Sequence, residues 1–269
     1  MKISKFILRG MLAFLAVSSV YATQSTSLQI QLGNPTNATS STTNHDHFLL
    51  QCAQYAFDYS DNNGEPNWVS WDLTAGDIGS SGRSGSFFTD TRLPSTFFHV
   101  TTSNYTGSGF DRGHMCPSAD RTDTVAHNNV VFFMSNILPQ TADNNQGPWE
   151  RFETYCRTLS QSGFEVLITS GPSTFSGRFI PSGAAAIPGY TWKVAVVVPL
   201  GSGTAVSRIT SSTRVIALKV PNIAGIRSNP WQNYLTSTNA IQTATGYTFF
   251  RTLPASVATA LRAKVDSGI

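Results

Sequence analysis

Three runs rich in β-branched and aliphatic residues follow one another along the second half of the chain: Val166-Leu-Ile-Thr169, Thr191-Trp-Lys-Val-Ala-Val-Val-Val198 and Arg214-Val-Ile-Ala-Leu-Lys-Val220. Each has the length and composition of a strand, and Gly/Pro/Ser turns separate them. Upstream, Trp68-Val-Ser-Trp-Asp-Leu73 alternates large apolar with small or polar residues, and Phe48 to Tyr59 carries Leu49, Leu50, Tyr55 and Phe57. One segment changes period. Trp149, Phe152, Tyr155/Cys156 and Leu159 recur every three to four residues, which predicts an amphipathic helix opened near Pro148 and ended by Gly163. Val130-Val-Phe-Phe-Met134 reads as a further buried strand, and Ala255 to Val265 as a closing helix. With no repeat and no linker after residue 48, the expectation is one α+β domain over 48–269, a mostly antiparallel sheet flanked by helices.

The N-terminus reads differently. Lys2, Lys5 and Arg9 precede an apolar stretch, Met11 to Val20, that closes on Val20-Tyr21-Ala22. This is the layout of a secretory signal peptide, so residues 1–22 are expected to be removed near Ala22 and the protein exported, extracellular or periplasmic. No later segment is long and apolar enough for a membrane helix. Residues 23–47 include Thr36 to Asp46, rich in Ser, Thr and Asn, and read as a flexible polar leader in which His45 and His47 are solvated. Without residues 1–22 the chain has 15 basic and 15 acidic residues, and 12 of the basic ones are Arg. Attraction to nucleic acid must then come from a local patch, and Arg is the side chain whose planar fork suits phosphate. Cys52, Cys116 and Cys156 fit no zinc spacing; they allow one disulfide with a thiol left over, three free thiols, or an intermolecular link.

Reactive side chains concentrate in two places. Gly107-Ser-Gly-Phe-Asp-Arg-Gly-His-Met-Cys-Pro117 misses a dinucleotide fingerprint, because Arg112 stands where the third glycine would fall. It offers His114, a base near neutral pH, and Arg112, which can grip an anion. Ser135-Asn-Ile-Leu-Pro-Gln140 is followed by Asn144-Asn-Gln-Gly-Pro-Trp-Glu-Arg-Phe-Glu153 and Arg157. Asn145, Trp149, Glu153 and Arg157 stand four apart and share a helix stripe if the helix starts early enough. An amide oxygen, a carboxylate and a cation in line suit a hydrated hard metal beside a phosphate. The plain alternative is an Asn helix cap followed by a Glu153/Arg157 surface pair.

Taken together, these segments resemble the DNA/RNA non-specific endonuclease family, the ββα-metal nucleases that include secreted bacterial sugar-non-specific nucleases and mitochondrial endonuclease G. The matching pieces are Asp111-Arg-Gly-His114, Ser135-Asn-x-x-Pro-Gln140 and Asn145-x-Gly-x-Trp-x-x-x-Glu153 with Arg157. Asn67-Trp-Val-Ser-Trp71, Arg83, Leu93-Pro94, Pro117-Ser-Ala-Asp-Arg-Thr122 and Ile187-Pro-x-x-x-Trp-Lys193 extend the likeness over most of the chain, which is most similar to the secreted cyanobacterial type. The resemblance implies a ββα-metal site in which His114 is the general base that activates water. It implies Asn145 as the direct ligand of one Mg²⁺ or Mn²⁺ ion, with Glu153 acting on that ion through water. Arg83 and Arg157 would bind substrate and stabilise phosphoryl charge; Arg112 would bind substrate and Asn136 would shape the site. Asp111 fits the motif without an evident role. The products implied are 5′-phosphate ends.

The chemistry is consistent with such a division. Phosphodiester hydrolysis needs an activated water, charge neutralisation at phosphorus and a stabilised leaving oxygen. A site addressing phosphate is indifferent to sugar and base, so both DNA and RNA, single- or double-stranded, are expected partners, with affinity falling as salt rises. An inhibitor protein guarding the producing cell is a further candidate partner. Two rival readings remain: a cysteine/histidine hydrolase using Cys116 and His114, and a secreted nucleic-acid-binding module with an inactive site. Asn37-Ala-Thr39 and Asn104-Tyr-Thr106 match glycosylation acceptors, which matter only in a eukaryotic host.

Overall fold

A computed structural model describes residues 28–269; the signal-type segment 1–22 and its cleavage position lie outside them. Among the described residues, nine strands and six helices run in the order β1 (Phe48–Gln51), β2 (Ala56–Ser60), β3 (Glu65–Leu73), β4 (Asp111–His114), α1 (Val125–Val130), β5 (Ile137–Gln140), α2 (Ala142–Asn144), α3 (Glu150–Gln161), β6 (Phe164–Phe179), β7 (Ala186–Pro199), α4 (Ala205–Arg208), β8 (Arg214–Pro221), β9 (Leu235–Thr236), α5 (Thr238–Thr245) and α6 (Ala255–Ala263). The main sheet has seven strands in the order β1-β2-β3-β6-β7-β8-β9, every neighbour antiparallel. β4 and β5 form a separate antiparallel ribbon. The architecture is therefore α+β, as the strand-rich second half implies.

Alternation along β7 sorts the two faces. Trp192, Val194, Val196 and Val198 join Trp68, Leu167, Ile241, Phe249 and Leu261 in one core, roofed by α5 and α6. Ala195 and Val197 join Trp71, Ile168, Leu218, Trp149, Phe152 and Cys156 in the other, roofed by α3 and the ribbon. A strand buried on both faces reads as a continuous apolar run, which is why Thr191–Val198 shows no simple alternation. Lys193 interrupts that run and is itself buried. Because its neighbours Trp192 and Val194 belong to the opposite core, its side chain points toward α3.

Three expectations need correcting. Val130–Met134 is not a strand: α1 starts from Thr124, whose hydroxyl accepts from the His127 N–H, and the chain then turns so that Val131, Phe132 and Met134 are buried. A short apolar run fits either element, and the Thr124 cap decides this one. The polar leader is also not loose over its described part. Leu32 and Ala38 are buried, Thr39 bridges Phe48, and the Thr36 hydroxyl donates to Asp58 Oδ2 (2.6 Å) while accepting from Trp68 Nε1 (2.9 Å). His47 and His45 keep 44% of their side-chain surface exposed, as expected, but each also pairs with a carboxylate, Asp58 (2.9 Å) and Asp61 (2.7 Å), because those β2-side carboxylates need partners. Finally, the helix stripe is broken: Asn145–Trp149 is a π-helical turn with Gly147 at φ −119°, ψ −119°, so α3 carries Glu153 and Arg157 in register with Trp149 but not with Asn145.

Candidate active site

The ribbon is built around a missing side chain. Gly113 pairs with Leu138 in the β4–β5 ladder, and a Cβ there would lie 1.8 Å from Gln140 Oε1 and 2.6 Å from Gln140 Cγ. The vacated space lets the buried Gln140 amide donate to Asn144 Oδ1 (2.8 Å), and Asn144 in turn donates to Thr191 Oγ1 and the Pro221 carbonyl (both 3.1 Å). The Asp-Arg-Gly-His and Ser-Asn-x-x-Pro-Gln motifs thus fix the residue before Asn145. Asn145 Nδ2 then donates to Asp111 Oδ2 (2.9 Å), and Gln146 Nε2 donates to the same oxygen (2.7 Å). At the other end of β4, Trp149 Nε1 donates to the His114 carbonyl (3.2 Å). Both ends of the β4 strand are therefore docked on the turn Asn145–Trp149.

Arg112 and His114 share the other face of β4. The Arg112 guanidinium lies 4.8 Å over the Phe87 ring, and His114 packs 5.3 Å from Phe87 and edge-on at 4.8 Å to Phe132. Arg83 stands over Phe132 at 4.9 Å. Arg83, Phe87, Asp111, Arg112, Asn145 and Gln146 line a cleft of about 490 Å³, which Tyr105 and Phe110 extend. His114 is not among the residues lining this cleft; its ring packs against that of Phe87, and its Nε2 is buried without a hydrogen-bond partner among the described residues. Burial first, and the Arg83 charge second, pull its pKa down to about 3, so the imidazole is neutral at pH 7. A phosphodiester anion brought beside it raises that value by charge attraction.

The remaining residues divide. Burial pushes the Glu153 carboxyl up, and Lys193 opposes this through an ion pair of 2.8 Å to Oε1. Burial lowers the Arg83 pKa, and the negative charge of Glu153 opposes this. Arg157 is turned to Asp120 Oδ1 (3.0 Å) and Thr154 (2.7 Å); burial lowers its pKa, but the Asp120, Glu153 and Glu150 carboxylates together raise it on balance. Asn136 does not face the cleft. Its Oδ1 accepts from the Cys116 N–H (3.0 Å), and its Nδ2 donates to the carbonyls of Cys116 (2.9 Å) and Val131 (2.8 Å). Its amide is spent on holding the backbone just after His114. Sequence reasoning assigns no role to Phe87, Asp120 or Lys193, although Asp120 and Lys193 lie in segments that match the family and Lys193 is also a charge inside an otherwise apolar strand.

A hard cation takes oxygen ligands. With its nitrogen committed to Asp111, Asn145 has Oδ1 left for such an ion, and the Asp111 carboxylate adds negative charge beside it.

The family model for DNA/RNA non-specific endonucleases matches residues 32–256. The chain belongs to this endonuclease family. Among curated relatives of the family, a nuclease of Nostoc sp. is 39% identical over 243 residues, covering 90% of this chain and 88% of that one. The mitochondrial nuclease EXOG of Mus musculus is 30% identical over 75% of this chain and 56% of its own length. Nuclease C1 of Cunninghamella echinulata is 28% identical over 77% of this chain and 84% of its own. Among solved structures, the EndoG/EndoGI complex aligns with a TM-score of 0.71 at 21% identity, over 84% of this chain and 91% of that one, and shows the same fold. The chain is thus an endonuclease built on this family's α+β fold.

Proposed function

We propose that this endonuclease is exported and hydrolyses phosphodiester bonds of DNA and RNA without sequence preference, leaving 5′-phosphates. The observation that carries the reading is the double docking of β4: Asp111 on Asn145 and the His114 carbonyl on Trp149 tie both ends of the strand that carries His114 to the turn that carries the Asn145 amide. Asn145, with Glu153 acting through water, would hold one Mg²⁺ or Mn²⁺ ion, which when bound supplies charge neutralisation at the phosphate and leaving oxygen. Arg83 and Arg112, on the cleft wall, bind the phosphate and neutralise its charge. Arg157 acts from its Asp120 pair, beside Glu153. His114 accepts the proton of the attacking water. Contacts to phosphate carry no base information, which supports indifference to sequence and sugar. Export is supported by the signal-peptide layout of residues 1–22. An inhibitor protein is a proposed partner, since the structural neighbour is a complex of EndoG with EndoGI that describes EndoG inhibition.

The cysteine-hydrolase alternative is disfavoured. Cys116 is fully buried, and burial pushes its thiol far above the neutral range, so no thiolate is at hand. The decisive experiment is H114A on supercoiled plasmid with Mg²⁺: a positioned base contributes about 10²–10⁴ in rate, so nicking should fall by that factor with DNA binding retained. Wild-type nicking rates in H114A sink the mechanism.

A further inference from the structure

A fully buried lysine is rare, because its ammonium needs a counter-charge where water is excluded. Lys193 has 0% exposure at the middle of β7. Its Nζ lies 2.8 Å from Glu153 Oε1, 4.0 Å from the Trp149 ring centroid and 5.3 Å from that of Trp71. Two indoles and one carboxylate form its seat, and among the described residues Glu153 is the one anion in ion-pair contact with it. The indoles are themselves tethered. Trp149 Nε1 holds the His114 carbonyl (3.2 Å), while Trp71 Nε1 donates to Asp120 Oδ2 (3.0 Å), whose other oxygen holds Arg157 (3.0 Å).

We propose that Lys193 is a positioning residue for phosphodiester cleavage: it pins Glu153 Oε1 and leaves Oε2 as the carboxylate's free oxygen. The inference rests on the nuclease reading above. Lys193 touches neither substrate nor ion; it acts by denying the Glu153 side chain its other rotamers. The stacked indoles fix the ammonium in turn, so the orientation of the carboxylate is set by β7 and β3 as much as by α3, which carries it. Support of this kind around a metal site is worth about 10–100-fold in affinity or activity.

The test is a cycle of K193M, E153Q and E153Q/K193M, with CD and thermal melting to confirm folding. Methionine keeps an apolar stem between the indoles and removes the charge. K193M should lower kcat on plasmid about 10–100-fold while KM for DNA changes less than about twofold. Calorimetry with Mn²⁺ and no DNA should show a loss of affinity of about tenfold or more. In the E153Q background, adding K193M should change kcat and Mn²⁺ affinity less than about twofold, because the residue it acts through is already disabled. A folded K193M with wild-type kcat and Mn²⁺ affinity overturns the proposal, and so does a K193M penalty of equal size in both backgrounds. If K193M alone fails to fold, the comparison of E153Q with E153Q/K193M decides, since that double variant leaves no buried charge unpaired. Wild-type protein that shows no divalent-dependent nicking refutes the nuclease reading itself, whereas failure of this proposal leaves that nicking intact.

Discussion

Gly113→Ala is the sharpest test of how the ribbon builds the site. The added Cβ would sit 1.8 Å from Gln140 Oε1, 2.4 Å from Cδ and 2.6 Å from Cγ, so the whole side chain must move, not only its tip. Gln140 is fully buried, so that movement pushes on packed neighbours. Overpacking a tight interior costs about 1–3 kcal/mol. Losing the Gln140–Asn144 bond and leaving buried amides unpaired costs roughly another 1–3 kcal/mol. The sum, about 2–6 kcal/mol, is a large share of the ~5–15 kcal/mol that stabilises a typical domain. Because Asn144 precedes Asn145, the same strain should displace the amide beside Asp111, and a misplacement of about 1 Å can cost about 10² in rate. Urea unfolding and plasmid nicking read the two effects. Gln140→Ala supplies the control: it removes the clash, so Gly113→Ala should add little in that background. A G113A protein of wild-type stability and rate, or strictly additive losses in the double variant, would refute the reasoning.

The neutral His114 gives a pH signature. Its pKa is about 3 in the fold against an ordinary ~6.5, so between those values the unfolded chain binds the extra proton and stability rises with pH. The stability difference between wild type and H114N, from urea unfolding at several pH values, should therefore rise across pH ~3–6.5 by up to ~1.4 kcal/mol per unit; a flat difference contradicts the assignment. All three cysteines are free, Cys116 and Cys156 are buried, and burial holds half-buried Cys52 at about 11 despite Arg92 at 3.0 Å. A thiol reagent should find no more than one reactive group in native protein and three in urea; fewer than three in urea would reveal a disulfide. Alkylating native protein should leave nicking intact, whereas chelation should abolish it.

What the sequence displays and what it hides separate along physical lines. The strands β6, β7 and β8 and the helix α3 are legible because each meets the core with a recurring face, and a recurring face leaves a period in the residues. The run Val130–Met134 misleads because burial alone does not tell helix from strand; the information lies in the single hydroxyl of Thr124. The leader misleads for the converse reason: a polar segment looks soluble until the carboxylates of Asp58 and Asp61, distant in sequence, turn its hydroxyl and imidazole groups into partners.

The site shows the same asymmetry at closer range. His114, Asn145 and Glu153 stand out by residue type and spacing, but their arrangement depends on absences and on supports that no spacing rule marks. Gly113 matters for the Cβ it lacks, and Gln140 for filling that space. The π-helical turn at Asn145–Trp149 is what lets an amide and an indole one turn apart reach opposite ends of β4. A regular helix through Gly147 would keep Asn145 in line with Glu153 but would lose the double docking. The break in the stripe is thus the condition for the imidazole strand and the amide to share one turn.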